Sequence, residues 1–142
     1  MSPASLDSAS APPLDSERWA ELVGAIAGRL AEHGSTAIHA YLDLRDRDDF
    51  DAQWTHADSA LQQHKRQLDG QRIAAAQDAS QQLRRAVFAA VMQASGQPEL
   101  AGYLSDDAAL IHENQTLHLG SDWIDGLRRC YESGQLPPAS TA

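Results

Sequence analysis

Six histidines, one cysteine and a run of aspartates are the residues of this 142-residue chain whose types could carry chemistry. The histidines are His33, His39, His56, His64, His112 and His118. A metal site on a helix takes ligands one turn apart, as in H-x-x-x-H, E-x-x-H or H-E-x-x-H, so that both groups reach one ion. None of these spacings is present. His112-Glu113 runs on into Asn114-Gln115-Thr116 without a second histidine, and His56 and His64 lie two turns apart. The expectation is no metal and no cofactor. Histidines and aspartates converging from separate helices, as in metal-dependent bundle enzymes, form the alternative.

Asp43, Asp46, Asp48, Asp49 and Asp51 place five carboxylates within nine residues, with Arg45 and Arg47 offsetting two. An EF-hand loop needs oxygen ligands at positions 1, 3 and 5, Gly at 6 and Glu at 12. Counted from Asp46, position 5 is Phe50 and position 6 is Asp51, so the loop fails. A helix N-terminus welcomes one or two such carboxylates, but that benefit fades after the first turn. The rest suit a solvated face or a surface that meets a basic protein. Cys130 lacks an electropositive setting, because its neighbours Arg128 and Arg129 point elsewhere on a helix, and it reads as core. No G-x-S-x-G, Walker A or G-x-G-x-x-G occurs, which removes the main support for hydrolase, NTPase and dinucleotide-binding readings.

The net charge is −9, distributed as −7 over residues 1–61, +3 over 62–95 and −5 over 96–142. Such a balance argues against nucleic acid and anionic membranes as partners. Lys65, Arg66 and Arg72 flank one turn and Arg84-Arg85 follow, without interleaved aromatics; pairing with the acidic segments is the expectation. A single cysteine permits no intramolecular disulfide and suits a reducing compartment. With no apolar run of membrane-spanning length and no signal-peptide pattern, the expected location is the cytoplasm.

Elements that would position these residues are helical. Ala fills 25 positions and Val with Ile only 8, an imbalance that favours helix over sheet. Two long periodic stretches run from Asp48 to Ser95, broken at Asp69-Gly70. The first carries Phe50, Trp54, Ala57, Leu61 and Leu68 on one face, so Trp54 reads as core rather than as an exposed binding aromatic. The second carries Ile73, Ala76, Leu83, Val87, Phe88 and Val91. A short turn between long helices predicts an antiparallel hairpin. Before it, Asp15 caps a helix with the stripe Trp19, Leu22, Val23, Ile26 and Leu30, with Leu14 stapled onto Trp19. Gly34 ends that helix, and Ser35 or Thr36 caps a shorter one. After the hairpin, Gly96 and Pro98 break the pattern. A short helix is predicted from Pro98 to Leu104, another capped by Ser105-Asp106-Asp107, and an extended piece from Thr116 to Leu119. Ser121 or Asp122 caps the last helix, Gly134 terminates it, and Pro137-Pro138 forbid its continuation.

The predicted architecture is all-α: a helical bundle of five to seven helices around a long antiparallel helical hairpin. Residues 14–137 form one domain between disordered tails at 1–13 and 138–142.

The stretch Leu117-His118-Leu119-Gly120-Ser121-Asp122-Trp123, continued by Tyr131-Glu132-Ser133-Gly134-Gln135-Leu136-Pro137, resembles the closing helix of small acidic bacterial immunity or antitoxin proteins. That resemblance implies a non-enzymatic protein that binds and blocks a toxin domain. The expected contact surface is Asp43, Asp46, Asp48, Asp49 and Asp51, steering a basic protein partner by complementary charge. The alternatives are the metal-dependent enzyme above and a self-associating structural or regulatory domain using the hairpin face.

Overall fold

The structure, a computed structural model, describes residues 13–137, so the tails expected at either end fall outside it apart from Pro13. Six helices run in chain order among the described residues: α1 (Ser16–Glu32), α2 (Ser35–Arg45), α3 (Asp48–Lys65), α4 (Gly70–Ser95), α5 (Pro98–Thr116) and α6 (Asp122–Glu132). The fold is an all-α bundle. Its core joins Trp19, Val23 and Ile26 of α1, Leu83, Val87 and Val91 of α4, Leu100, Leu104 and Ile111 of α5, and Tyr131 of α6. Trp19 and Tyr131 meet edge to face with centroids 5.3 Å apart, the arrangement that ring quadrupoles prefer.

Local chemistry sets most helix ends. The Asp15 carboxylate accepts from the Arg18 amide at 2.8 Å, Asp69 from the Arg72 amide at 2.8 Å, and the Ser121 hydroxyl from the Ile124 amide at 3.2 Å. α2 departs from expectation: Gly34 is its cap residue, with no side-chain bond, and Ser35 is already helical. α6 ends in a Schellman turn, Gly134 N–H donating to Tyr131 O at 2.9 Å and Gln135 N–H to Cys130 O at 2.8 Å.

The hairpin arms α3 and α4 are joined by the short turn at 66–69, but each packs mainly on other helices. α4 is clamped between α1 and α5, while α3 lies across α2, α5 and α6. Where α4 faces α3 it carries Gln77, Ser80, Gln81 and Arg84, so a polar groove floored by Leu110 and Glu113 separates the arms. Phe88, expected inward, is 39% exposed. Adjacent helical residues diverge by about 100°, and Val87, fully buried, takes the inward position.

α5 corrects two expectations. It is one helix where two were predicted, and Ser105 and Asp107 are buried in its middle rather than capping a new start. The Ser105 hydroxyl bonds back to Gly102 O at 3.0 Å, and the Asp107 carboxylate is taken up by other helices, so neither competes with the backbone. Of the piece expected to be extended, 116–119, Thr116 is the last residue of α5 and Leu117-His118 form the turn that closes it. His118, at φ 57°, sits where a glycine usually does, and its N–H and that of Leu119 close the turn onto Gln115 O and Asn114 O at 3.2 and 2.9 Å.

Candidate partner-binding site

The acidic run straddles the junction of α2 and α3, and what lies beneath it sets its charge. Arg45, the last residue of α2, is only 4% exposed and turns inward to Asp107 of α5, which is fully buried. Arg45 Nη1 and Nη2 each lie 2.7 Å from a different Asp107 oxygen, a bidentate pair. Trp54 Nε1 of α3 donates to the same carboxylate at 2.9 Å, and the Tyr131 hydroxyl of α6 at 2.5 Å. Four helices therefore meet on one side chain. Around the guanidinium stand Phe50 at 4.4 Å, Tyr103 at 4.8 Å and Tyr41 at 6.0 Å, ring centroid to Cζ. The Tyr41 hydroxyl accepts from Arg45 and donates to Pro137 O at 2.7 Å, which ties down the end of the described chain.

Burial pushes the Tyr131 and Tyr41 hydroxyls well above the usual phenol range, and Asp107 adds to it in both. For Arg45 burial works against the charge, but Asp107, with Tyr41 and Tyr131 adding to it, more than offsets burial and holds the guanidinium ionised. Tyr103 is raised to about 12, first by its hydrogen bond to Asp46 and then by burial.

Asp43, Asp46, Asp48, Asp49 and Asp51 are all exposed. Asp46 accepts from the Tyr103 hydroxyl, and Asp48, Asp49 and Asp51 occupy the first turn of α3. Because Arg45 is committed to Asp107, only Arg47 of the two sequence-adjacent cations stays at the surface. The corner is thus more negative than a count along the chain implies.

Beside this corner an apolar groove of ≈ 390 Å³ opens between α3 and the α5–α6 connection. Ala52, Ala57 and Ala60 line one wall, and Leu119, Trp123 and Ile124 the other. Trp123 of that wall packs edge to face on Phe50, centroids 5.7 Å apart.

The remaining candidates are placed as follows. His39, His56 and His118 are exposed. His33 Nδ1 lies 2.8 Å from Arg29 O and His64 Nε2 2.8 Å from Leu117 O. Burial lowers the His112 pKa, Glu113 partly offsetting it. Among the described residues no three of His, Cys, Asp and Glu are grouped as a metal site requires. Cys130 is buried, as its place in the last helix implied. Of the five basic residues expected to pair with acidic segments, Lys65 pairs with Glu113, which also accepts from Ser80 at 2.8 Å, and Arg84 with Asp106, while among the described residues Arg66, Arg72 and Arg85 form no ion pair. No helix among the described residues is long and apolar enough to cross a membrane.

Sequence reasoning missed the Arg45–Asp107 centre. The signal was there in Asp107 standing directly before the apolar run Ala108-Ala109-Leu110-Ile111, which marks a helix buried on every side.

Among the described residues, six helices place an acidic corner over a buried charge centre, with an apolar groove beside it. The family model for Immunity protein PIM1 matches residues 28–138, from the end of α1 through α6. The chain belongs to that family. No curated protein and no solved structure matches it.

Proposed function

We propose that this chain is a non-enzymatic immunity protein that binds and neutralises a basic toxin domain, and that Asp43, Asp46, Asp48, Asp49 and Asp51 form its contact surface. Membership of an immunity-protein family supports the role. The observation that carries the surface is the joint exposure of these five carboxylates while Arg45 is withdrawn to Asp107. Helix-dipole complementarity accounts for one or two of the three carboxylates in the first turn of α3. The others repel one another at a cost that salt reduces, a cost consistent with a surface that attracts a cationic partner. A negative corner facing a positive toxin surface raises the association rate and penalises wrong partners. Buried, unpaired Cys130 fits action in a reducing cytoplasm.

The test is Asp48→Asn, Asp49→Asn and Asp51→Asn together, assayed against the toxin domain encoded by the adjoining reading frame. Association at low salt should slow by about tenfold or more, since steering contributes roughly 10- to 1000-fold. The salt dependence should flatten and dissociation change less. Urea stability should hold, because Asn remains acceptable in a first helical turn and self-repulsion is relieved. Parental association across the salt series would reduce the cluster to a solvated face and move the contact to the hairpin tip or α6.

A further inference from the structure

Among the described residues, none fills the apolar groove beside the acidic corner. Its α3 wall carries alanines at 52, 57 and 60, side chains too short to fill the space, beside Gln53 and the exposed His56. Its ≈ 390 Å³ lies within the range of sites that bury a whole ligand group, roughly 300–1000 Å³. The opposite wall is held in place. Leu119 N–H bonds Asn114 O at 2.9 Å and Gly120 N–H bonds the Asn114 side-chain oxygen at 3.1 Å. Asn114 is itself buried, its amide nitrogen donating to Leu110 O at 2.8 Å. Between two residues of positive φ, His118 at 57° and Gly120 at 88°, Leu119 is held 37% exposed on the rim. A large apolar side chain kept at the surface by a strained turn is an arrangement that costs stability and suits binding.

Charge around the groove narrows what enters it. None of its lining residues is Lys or Arg. Asp49 lies one turn before Gln53 on the lining face of α3, and Asp122 stands between the lining residues Ser121 and Trp123. Both aspartates are exposed. A second copy of this chain, itself at −9, would bring like charges onto these rims.

Building on the proposed function, we propose that the groove between α3 and the α5–α6 connection is the anchor pocket for a segment of the basic partner. That segment presents one apolar side chain with a Lys or Arg on each side. The apolar group fills the space over Ala57 and Ala60 against Leu119, and the flanking cations meet Asp49 and Asp122. The acidic corner then governs how fast the partner arrives and the groove how long it stays, since anchors in enclosed pockets act chiefly on dissociation.

The experiment needs no knowledge of the toxin and so fails or succeeds apart from the immunity reading. The full chain, labelled for amide NMR, is titrated with acetyl-Lys-Leu-Lys-amide, acetyl-Lys-Ala-Lys-amide and acetyl-Glu-Leu-Glu-amide. The first should give saturable shifts centred on Ala60, Leu119, Gly120 and Ile124. The other two should bind at least about tenfold more weakly, a difference of about 1.4 kcal/mol. Ala60→Phe, which fills the groove from an exposed helical position, should abolish those shifts. Leu119→Ala, which removes a wall, should weaken them in a chain whose spectrum is otherwise parental. Equal binding of the acidic peptide would make the groove a site for any apolar ligand and overturn the proposal. So would shifts spread over the acidic corner that survive Ala60→Phe, no shifts at all, or groove shifts produced by raising protein concentration without peptide.

Discussion

Asp107→Asn is the substitution on which the account of the interior stands or falls. The Asp107 carboxylate accepts four hydrogen bonds, two from Arg45 and one each from Trp54 and Tyr131. Asn keeps the shape but removes the charge and turns an N–H toward a guanidinium. Leaving one member of a buried ion pair without its partner costs about 3–5 kcal/mol. A domain of this size has about 5–15 kcal/mol in all, so the variant should retain its fold with little margin. With a urea slope of about 2 kcal/mol per molar, the midpoint should fall by about 1.5–2.5 M. Tyr131→Phe, which removes one bond to the charged oxygen, should cost about 1.5–3 kcal/mol. Replacing both partners, Arg45→Met with Asp107→Leu, should recover much of the loss, because a buried pair exchanged for apolar side chains is often neutral. The urea midpoints of Arg45→Met, Asp107→Leu and the double variant give the coupling directly. A midpoint for Asp107→Asn within about 0.5 M of the parent, at unchanged slope, would refute the claim that this carboxylate holds the helices together.

Val87→Asp should unfold or severely destabilise the domain, because Val87 is fully buried where α4 meets its neighbours, whereas Phe88→Asp should change the urea midpoint little. Burial lowers the His112 pKa below 6.5, so the unfolded chain takes up the proton first as pH falls and stability drops below about pH 6.5. His112→Leu should flatten that dependence in urea melts between about pH 7 and pH 5; a parental slope would assign the acid sensitivity elsewhere. His118→Gly should raise stability by up to about 1 kcal/mol by relieving the left-handed residue that ends α5, and a loss instead would mean that the imidazole makes contacts worth more than the strain.

Helix ends were legible in the sequence because their chemistry is local. Asp15, Asp69 and Ser121 each bond an amide three residues on, and Gly96 and Gly134 take the left-handed conformation their positions called for. The all-α class followed from the same short-range pattern. Phe88 was misplaced because a stripe tolerant of steps of three and four admits both it and Val87, and only packing against α1 and α5 decides between them. The split of α5 into two helices had the opposite cause: Ser105-Asp106-Asp107 reads as a cap when its partners are out of sight. Asp107 finds them 62, 53 and 24 residues away along the chain. The five aspartates were visible as composition, yet the withdrawal of Arg45 from among them depends on the same long-range bond. The apolar groove left only a faint trace, alanines at 52, 57 and 60 in a helix otherwise rich in long side chains.

The interior and the surface are thus linked through Arg45. It leaves the acidic run by going inward, and the same move fastens the end of α2 to α5. Trp54, two turns into α3, joins the same carboxylate, so the helix that carries Asp48, Asp49 and Asp51 has its orientation set from below. Tyr131 fastens α6, whose first turn supplies Trp123 and Ile124 to the groove wall. Binding costs free energy for every loop and side chain ordered on contact. On the proposed reading, a contact corner whose two helices, α2 and α3, are already tied to one buried side chain avoids much of that cost. The buried pair sharpens the surface charge by removing a cation from it and fixes the backbone that presents the rest. Neither effect requires the Asp107 carboxylate to reach solvent, which is why a fully buried residue bears on a surface it never touches.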